Sequence, residues 1–285
     1  MYRRHTFFGA LWRHGILLVF LVFALFPIFW VISASFNPAN TLVGQSLIPK
    51  VVSLDNYREL FTNQQHPIAL WIKNSVIVSL ITSALVVTMT SLAAYAFSRF
   101  RFKGRRTGLF ISLLVQVFPQ MLAAVAVYLL ILNIGKLFPA LGINTHAGLI
   151  MVYLGGAMGV NAWLMKGYFD TIPTSLEESA MIDGATPFQA FYMIILPLAR
   201  PILAVVFLLQ FIGTYSEFIL ASVLITSSSK YTLAVGLQLF IHDQYANRWG
   251  VFAAASVLGA LPIVILFMFL QKYLVSGLTH GAVKG

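Results

Sequence analysis

Long apolar runs separated by polar segments form the pattern along this chain. About 20 consecutive apolar residues are enough to cross the hydrocarbon core of a bilayer as a helix. Pro27 lies within the first run and is expected to kink it. The pattern predicts six transmembrane helices, at residues 16–36, 74–97, 108–132, 147–169, 201–226 and 251–269. The predicted fold class is therefore all-α, an integral membrane protein with six transmembrane helices.

The composition agrees with a membrane protein and restricts its chemistry. Of the 285 residues, 59% are hydrophobic and 9% are charged, and the mean hydropathy is +0.87. A soluble domain of this size could not bury so much apolar surface. The absence of cysteine from the sequence excludes disulfides and thiolate chemistry. The first apolar run exceeds the roughly 7–15 residues of a signal-peptide core, so it predicts an uncleaved helix.

The distribution of positive charge predicts the topology. The net charge is +10, and five cations directly follow the second apolar run: Arg99, Arg101, Lys103, Arg105 and Arg106. Lys and Arg concentrate in cytoplasmic loops, so we expect this segment in the cytoplasm, near lipid phosphates, without a role in nucleic-acid binding. Both termini are then cytoplasmic. Of the 18 Lys and Arg, 12 fall in cytoplasmic segments and six in external ones (Lys50, Arg58, Lys73, Lys136, Lys230 and Arg248).

A polar segment between the fourth and fifth apolar runs has the pattern of a helix–turn–helix. Thr174 or Ser175 can cap a first helix, with a glutamate three residues later to complete a capping box. The Asp-Gly pair at 183–184 predicts a break, and residues 187–195 predict a second short helix that begins with proline. Such a hairpin does nothing to span a bilayer. We therefore predict that the hairpin is a docking surface for a partner.

This segment resembles the EAA loop of importer permeases in the ATP-binding-cassette (ABC) superfamily. The family pattern is Glu-Ala-Ala, three residues, Gly, nine residues, then Ile-x-Leu-Pro. Ser179 stands in place of the first alanine, a small-for-small change. The glutamates could instead stabilise a helix N-terminus and the glycine could be a cap, but those interpretations do not account for the whole spacing. The residues in register are Glu178, Ala180, Gly184, Ile194, Leu196 and Pro197.

The similarity extends beyond this loop. The chain resembles the six-helix permease subunit of carbohydrate ABC importers, in particular the smaller permease of maltose/maltodextrin systems. This resemblance implies a type I importer permease with a core at 74–275, an N-terminal segment at 1–73 and a cytoplasmic tail at 276–285. The first sixty residues match only generically. The segments that carry the resemblance are 94–99, 142–146, 166–169, 231–236, 277–279 and 283–285.

The resemblance implies a set of partners. They are a second, related permease that forms a heterodimer with this chain, two copies of a cytoplasmic ABC ATPase, and an external solute-binding protein. ATP and Mg would be bound by the ATPase subunits, because this chain has no P-loop and is predicted not to be an enzyme. The EAA loop would seat in a cleft of the ATPase. Its coupling residues would be Glu177, Glu178, Ser179, Ala180, Asp183, Gly184, Ala185 and Pro197.

Two further contacts follow from the resemblance alone. The C-terminal tail would reach between the ATPase subunits, through Gly281, Ala282, Val283, Lys284 and Gly285. An external loop would reach into the solute-binding protein, through His242, Asp243, Gln244, Tyr245 and Asn247.

Polar residues within the apolar runs are candidates for a translocation pathway. A carboxylate midway along a span costs about 2.5–3.5 kcal/mol on insertion scales, so it should face a cavity or a partner. Pathway lining and a structural hydrogen bond are equally compatible with this. Gly155 and Gly159 have the GxxxG spacing that permits close helix packing. The pathway candidates are Gln120, Tyr215, Ser216 and Glu217.

The predicted function is that of a permease subunit in an ATP-driven importer of maltose, maltodextrin or a related oligosaccharide, in the bacterial inner membrane. One alternative is the same architecture importing another solute, such as trehalose or glycerol phosphate. Another is a self-contained secondary carrier. A metal site is not expected, because the six histidines are scattered and none have i, i+4 spacing.

Overall fold

The computed structural model describes residues 7–41, 43, 45–63, 65–117, 120–241 and 248–281. All regular structure within these ranges is helical. The helices are α1 (Phe7–Ser35), α2 (Asp55–Thr62), α3 (Ile68–Arg99), α4 (Arg105–Val117), α5 (Gln120–Leu137), α6 (His146–Phe169), α7 (Ser175–Ile182), α8 (Pro187–Ala190), a π-helical turn (Phe191–Ile195), α9 (Leu196–Leu198), α10 (Arg200–Ser216), α11 (Ile219–Leu224), α12 (Leu233–Gln238) and α13 (Trp249–Gly281). Two short 3₁₀ turns occupy Pro139–Leu141 and Ser228–Lys230.

Four of these helices are long and apolar enough to cross a membrane, namely Leu11–Ser35, Ile68–Arg99, His146–Phe169 and Trp249–Leu274. Two bent pairs would raise the number of spans to six if each pair is one span. The first pair is α4 with α5, bent by 101°, and the second is Pro187–Leu198 with α10, bent by 76°. The all-α membrane fold is therefore confirmed.

The predicted fifth span, 201–226, is wrong as one continuous helix. α10 ends at Ser216, Glu217 is extended (φ −68°, ψ 128°), and α11 begins at Ile219. Hydropathy does not detect this break, because the residues on both sides of it are apolar. The sixth helix is also longer than predicted, since α13 runs through the start of the predicted tail to Gly281.

The chain divides into two compact units. The first contains residues 1–68 and 237–260. In its described part, Asn56 is buried and its amide donates to the carbonyl oxygens of Ser35 and Asn37, both at 2.9 Å. Glu59 forms an ion pair with Arg248. These contacts attach α2 to the end of α1 and to the start of α13.

The second unit contains residues 69–236 and 261–285 and has two apolar clusters. One cluster joins Val78 of α3 to side chains of α5, α6, α11 and α12. The other joins Tyr95 at the far end of α3 to α6, α10 and the π-helical turn. Of the predicted GxxxG pair, only Gly159 is at a close approach, because a Cβ there would overlap the carbonyl of Ser112 in α4, whereas Gly155 faces open space.

The N-terminal end of α3 holds the segment 228–236 by polar and steric contacts. The indole Nε1 of Trp71 donates to the Ser228 carbonyl at 2.8 Å, and the Asn74 amide donates to the carbonyls of Ser229 and Tyr231 at 3.1 and 3.0 Å. The backbone N–H of Leu233 donates to Ser75 Oγ at 2.7 Å. α3 therefore carries the 228–236 segment at one end and the second apolar cluster at the other.

Candidate coupling hairpin and membrane cavity

Residues 175–198, here termed the 175–198 hairpin, form the predicted helix–turn–helix. α7 ends at Ile182, and Gly184 follows in the left-handed region at φ +93°. The N–H of Ala185 donates to the Ala180 carbonyl at 2.9 Å and closes the turn. The predicted break at 183–184 and the predicted second helix from Pro187 are confirmed.

The capping box, however, lies at the second helix and not at the first. Thr174, the residue before α7, has helical backbone angles, and its side chain makes no cap hydrogen bond. Thr186 caps α8, where its hydroxyl accepts from the Gln189 N–H at 3.3 Å and its own N–H donates to Gln189 Oε1 at 2.7 Å. The prediction failed because Glu177, one of the two glutamates considered for the box, is engaged elsewhere.

The two adjacent glutamates of the hairpin have opposite surroundings. Glu178 is exposed, whereas Glu177 is 4% exposed. Arg99 Nε donates to Glu177 Oε1 at 2.5 Å, and the Tyr95 hydroxyl donates to Glu177 Oε2 at 2.9 Å. Glu177 is therefore used within the chain, and Glu178 is the glutamate that is available to a partner.

The outer face of the hairpin is apolar and exposed. Ile182 at its tip is 86% exposed. Large apolar patches of this kind mark interaction sites when they are bordered by polar residues, as here by Glu178 and Asp183. Ser179, Gly184 and Pro197 are also exposed, and Ala180 and Ala185 are half-buried. The other exposed apolar side chains are Leu176, Met181, Phe188, Tyr192, Met193 and Leu198.

A second polar link lies at the end of α6, just before the hairpin. Lys166 Nζ contacts Asp170 Oδ2 at 2.5 Å, and Ser98 Oγ donates to Asp170 Oδ1 at 2.6 Å. Burial acts to raise the pKa of Asp170, but the hydrogen bonds from Lys166 and Ser98 outweigh it and hold that pKa below its ordinary value. The carboxylate is therefore kept ionised.

A cavity of about 1040 Å³ lies among α4, α5, α6, α10 and α11. Most of its lining is apolar, from α5 and α6. Gln210 and Thr214 face it from one side of α10, joined by a 3.0 Å hydrogen bond, and Asn161 donates to Gln210 Oε1 at 3.1 Å. Gln116, Tyr153 and Glu217 are further polar residues of the lining.

Glu217 lines this cavity and also ends α10. Its Oε1 accepts from the Leu220 N–H at 2.7 Å, and its Oε2 accepts from the Ala221 N–H at 3.0 Å and from the Tyr153 hydroxyl at 2.6 Å. The carboxylate thus caps α11 and fixes it to α6. Of the two interpretations left open by the sequence, the structural hydrogen bond is observed, and pathway lining stays a prediction.

Residues 87–280 match the family described as "Binding-protein-dependent transport system inner membrane component". This chain belongs to that family. It is 47% identical over 283 residues to the maltose/maltodextrin transport system permease protein MalG of Vibrio vulnificus (strain YJ016), covering 95% of both chains. It is 44% identical over 283 residues to MalG of Escherichia coli (strain K12), again covering 95% of both chains.

The fold of this family member also matches a solved structure. It aligns with a bacterial ABC transporter involved in the import of the acidic polysaccharide alginate, with a TM-score of 0.74 and 26% identity, over 96% of this chain and 99% of the other. The predicted resemblance to carbohydrate ABC importer permeases is therefore confirmed.

The remaining pathway candidates of this permease are placed differently from Glu217. Tyr215 is buried and stacks on Phe211, with ring centroids 5.6 Å apart, and Ser216 is exposed; neither lines the cavity. Gln120 begins α5, but its side chain lies outside the described part of the structure.

Other predicted site residues of the permease lie outside the described ranges. They are His242, Asp243, Gln244, Tyr245 and Asn247 of the external loop, and Ala282, Val283, Lys284 and Gly285 of the tail. Gly281 is the last residue of α13.

Sequence reasoning missed the role of Arg99 and Tyr95. Both lie in the 94–99 segment, and the charge pattern assigns Arg99 only to the cytoplasmic cations. The available signal was their i, i+4 spacing, which puts both side chains on one face of α3. The partner of that face, Glu177, is 78 residues further on, and no local pattern identifies it.

Proposed function

We propose that this chain is one of two permease subunits of an ATP-driven importer of maltose, maltodextrin or a related oligosaccharide, and that it is driven through the 175–198 hairpin. The observation that carries the proposal is the hairpin itself, which presents an exposed apolar face while its base is buried against α3. The MalG relatives, aligned over nearly their full length, support the sugar as the solute.

The contacts of the hairpin support the proposed orientation. Arg99 binds Glu177, so the hairpin lies at the same end of the membrane core as the cations that follow α3. Because Lys and Arg concentrate on the cytoplasmic side, this end faces the cytoplasm and both termini lie there. The hairpin is then on the side where ATP is available.

The proposed mechanism assigns the chemistry to the partners and the mechanical response to this chain. ATP and Mg are bound by two copies of an ABC ATPase beneath the two permeases. A solute-binding protein supplies sugar from outside, and the name of the family, which refers to binding-protein-dependent transport, supports this partner. Ile182 and Phe188 fill an apolar cleft of the ATPase, and Glu178 contacts its polar rim. Closure of the ATPase dimer moves the hairpin, and the permeases change from inward-open to outward-open.

The cavity beside Glu217 is the proposed contribution of this chain to the sugar pathway. Amide and hydroxyl groups on Gln116, Gln210 and Thr214 supply both donors and acceptors for sugar hydroxyls. The related partner permease closes the other side of the pathway.

Docking of the hairpin is tested by co-purifying the chain with the ATPase after co-expression of the whole complex. We expect Glu178→Arg and Ile182→Asp each to abolish co-purification. The first reverses a charge at the proposed polar rim, and the second places a charge in the proposed apolar cleft. Thr171→Arg, an exposed position just before the hairpin, is the control and should retain the ATPase. Native levels of ATPase bound to both hairpin variants would overturn the docking proposal.

The solute is tested separately, by uptake in a strain that lacks its own maltose permease of this type. We expect labelled maltose or maltodextrin to be imported, with unlabelled trehalose and glycerol phosphate competing weakly. Import of trehalose or glycerol phosphate in preference to maltodextrin would favour the alternative solute.

A further inference from the structure

A buried ion pair fastens the 175–198 hairpin to α3, which is distant in sequence, in addition to its chain connections to α6 and α10. The Arg99 and Glu177 side chains are only 10% and 6% exposed. Tyr95, one turn before Arg99, donates to the second carboxylate oxygen of Glu177 and to the Pro187 carbonyl at 3.2 Å. Both oxygens of Glu177 are therefore held by the same helix.

The same end of α3 also contacts the chain on either side of α7. Arg99 Nη2 donates to the Ile172 carbonyl at 2.9 Å, where the chain enters the hairpin. The ring of Tyr95 packs on Phe191, with centroids 4.7 Å apart, in the apolar cluster beneath the hairpin. α3 thus contacts the entry to the hairpin, α7, the start of α8 and the π-helical turn.

The opposite end of α3 is equally well attached. Trp71, Asn74 and Ser75 hold the 228–236 segment through four hydrogen bonds, and Gly236 lies against the Trp71 indole. A helix of 32 residues is about 48 Å long, which exceeds the thickness of the hydrocarbon core. One rigid element therefore joins the hairpin to a segment on the other side of the membrane core.

We propose that Arg99, Tyr95 and Glu177 form a latch that makes the hairpin and α3 move as one body, so that displacement of the hairpin is delivered through α3 to the 228–236 segment. Glu177 is then a positioning residue that touches neither sugar nor ATPase. The inference rests on the proposed docking of the hairpin. It assigns the path that the motion takes after docking.

The first experiment removes the latch without leaving a lone buried charge. Replacing a buried ion pair by apolar side chains is often neutral for stability, whereas removing one partner is not. We expect Arg99→Met/Glu177→Met to keep the ATPase bound while the sugar transported per ATP hydrolysed falls about tenfold, within the range typical of coupling between distant sites. Arg99→Lys with Glu177 unchanged keeps both charges. Its ratio of sugar transported to ATP hydrolysed should therefore lie between those of the double Met variant and the native chain.

The control breaks the more exposed ion pair at the same end of the bundle. Lys166→Gln/Asp170→Asn should leave the transport ratio near that of the native chain. If the Arg99→Met/Glu177→Met variant does not assemble, Arg99→Leu/Glu177→Leu is measured in the same way, because it also removes both charges together. A native ratio in the variant that assembles would overturn the latch.

The second experiment measures whether the two elements move together. Because the sequence has no cysteine, Leu92→Cys in α3 and Ser175→Cys in α7 define a single pair of spin labels. In the complete complex we expect a narrow distribution of distances between the two labels that does not change on addition of ATP. After Arg99→Met/Glu177→Met, we expect a broad distribution. A distance that shifts with ATP while the latch is intact would overturn the inference.

The two proposals fail in distinguishable ways. If the native chain does not retain the ATPase, the docking proposal fails. If the ATPase is retained but the Met pair leaves both the transport ratio and the label distance unchanged, the latch alone fails.

Discussion

At the residue scale, two acidic side chains show how the surroundings determine a role. Glu177 and Glu178 are neighbours on one helix, yet one is buried on Arg99 and the other is exposed. Glu217 makes three hydrogen bonds, two to the backbone N–H groups that begin α11 and one to Tyr153. An unpaired carboxylate at this depth would be costly, so its partners explain why it is tolerated.

Glu217→Ala is expected to destabilise the purified protein by about 1–3 kcal/mol, because it leaves buried N–H and hydroxyl groups without an acceptor. Tyr153→Phe is the matched control, and it should cost less, about 0.5–1.5 kcal/mol, since the carboxylate keeps both backbone donors. Denaturation of both variants in the same detergent measures the difference. Equal stabilities of the two variants would contradict the capping role.

Gly184→Ala is expected to destabilise the hairpin by about 1–2 kcal/mol, since an L-residue is strained in the left-handed region. Gly167→Ala is the control, because Gly167 lies within α6 with open space around its Cβ position. That change should be neutral or slightly stabilising. Hydrogen exchange of the hairpin amides measures the effect, and unchanged protection in Gly184→Ala would contradict it.

At the scale of the elements, the breaks between helices are set by specific residues. α10 begins at Arg200-Pro201, where proline cannot donate the hydrogen bond that would continue the preceding helix. It ends at Ser216, and the side chain of the next residue, Glu217, accepts hydrogen bonds from the first N–H groups of α11. α12 packs close to α3 because position 236 is glycine, and any Cβ there would overlap Trp71.

Gly236→Ala is expected to displace the fully buried Trp71 and to destabilise the protein by about 1–3 kcal/mol, the usual cost of overpacking a dense core. Gly213→Ala, at a helical position with open space, is the control. The near-ultraviolet circular dichroism and the tryptophan fluorescence report the displacement of the indole. An unchanged tryptophan spectrum with native stability would show that the close approach is not required.

At the scale of the whole molecule, the chain combines apolar membrane helices with an exposed apolar face on the 175–198 hairpin. The family match and the relatives place it among importer permeases, which act as parts of assemblies. The sequence has no P-loop, so the source of energy is proposed to lie in a partner.

The purified chain alone in liposomes is expected to transport no sugar, with or without an ion gradient, because a permease of this kind requires its ATPase. Adding the partner permease, the ATPase, the binding protein and ATP should produce uptake. Omitting ATP from the complete set is the control. Sugar uptake by the chain alone under a proton or sodium gradient would support the secondary carrier instead.

Much of the architecture could be predicted from the sequence because hydropathy is a property of consecutive residues. The apolar runs gave the membrane helices, the cations after residue 97 gave the orientation to be tested, and Asp183-Gly184 gave the turn of the hairpin. The capping box was misplaced, and the break at Glu217 was missed. The first error comes from a partner far away in sequence, Arg99 for Glu177. The second arises because the residues on both sides of Glu217 are apolar, so hydropathy does not detect the break.

The sequence by itself determined the class of the protein, most of its membrane helices and the turn of the 175–198 hairpin, since each depends on composition or on short spacings. Only the tertiary structure decided which glutamate faces outward, which polar residues share the cavity and which helix holds the hairpin. These depend on contacts between residues 49 to 157 positions apart, which are formed by three-dimensional packing and are not encoded by the local sequence pattern.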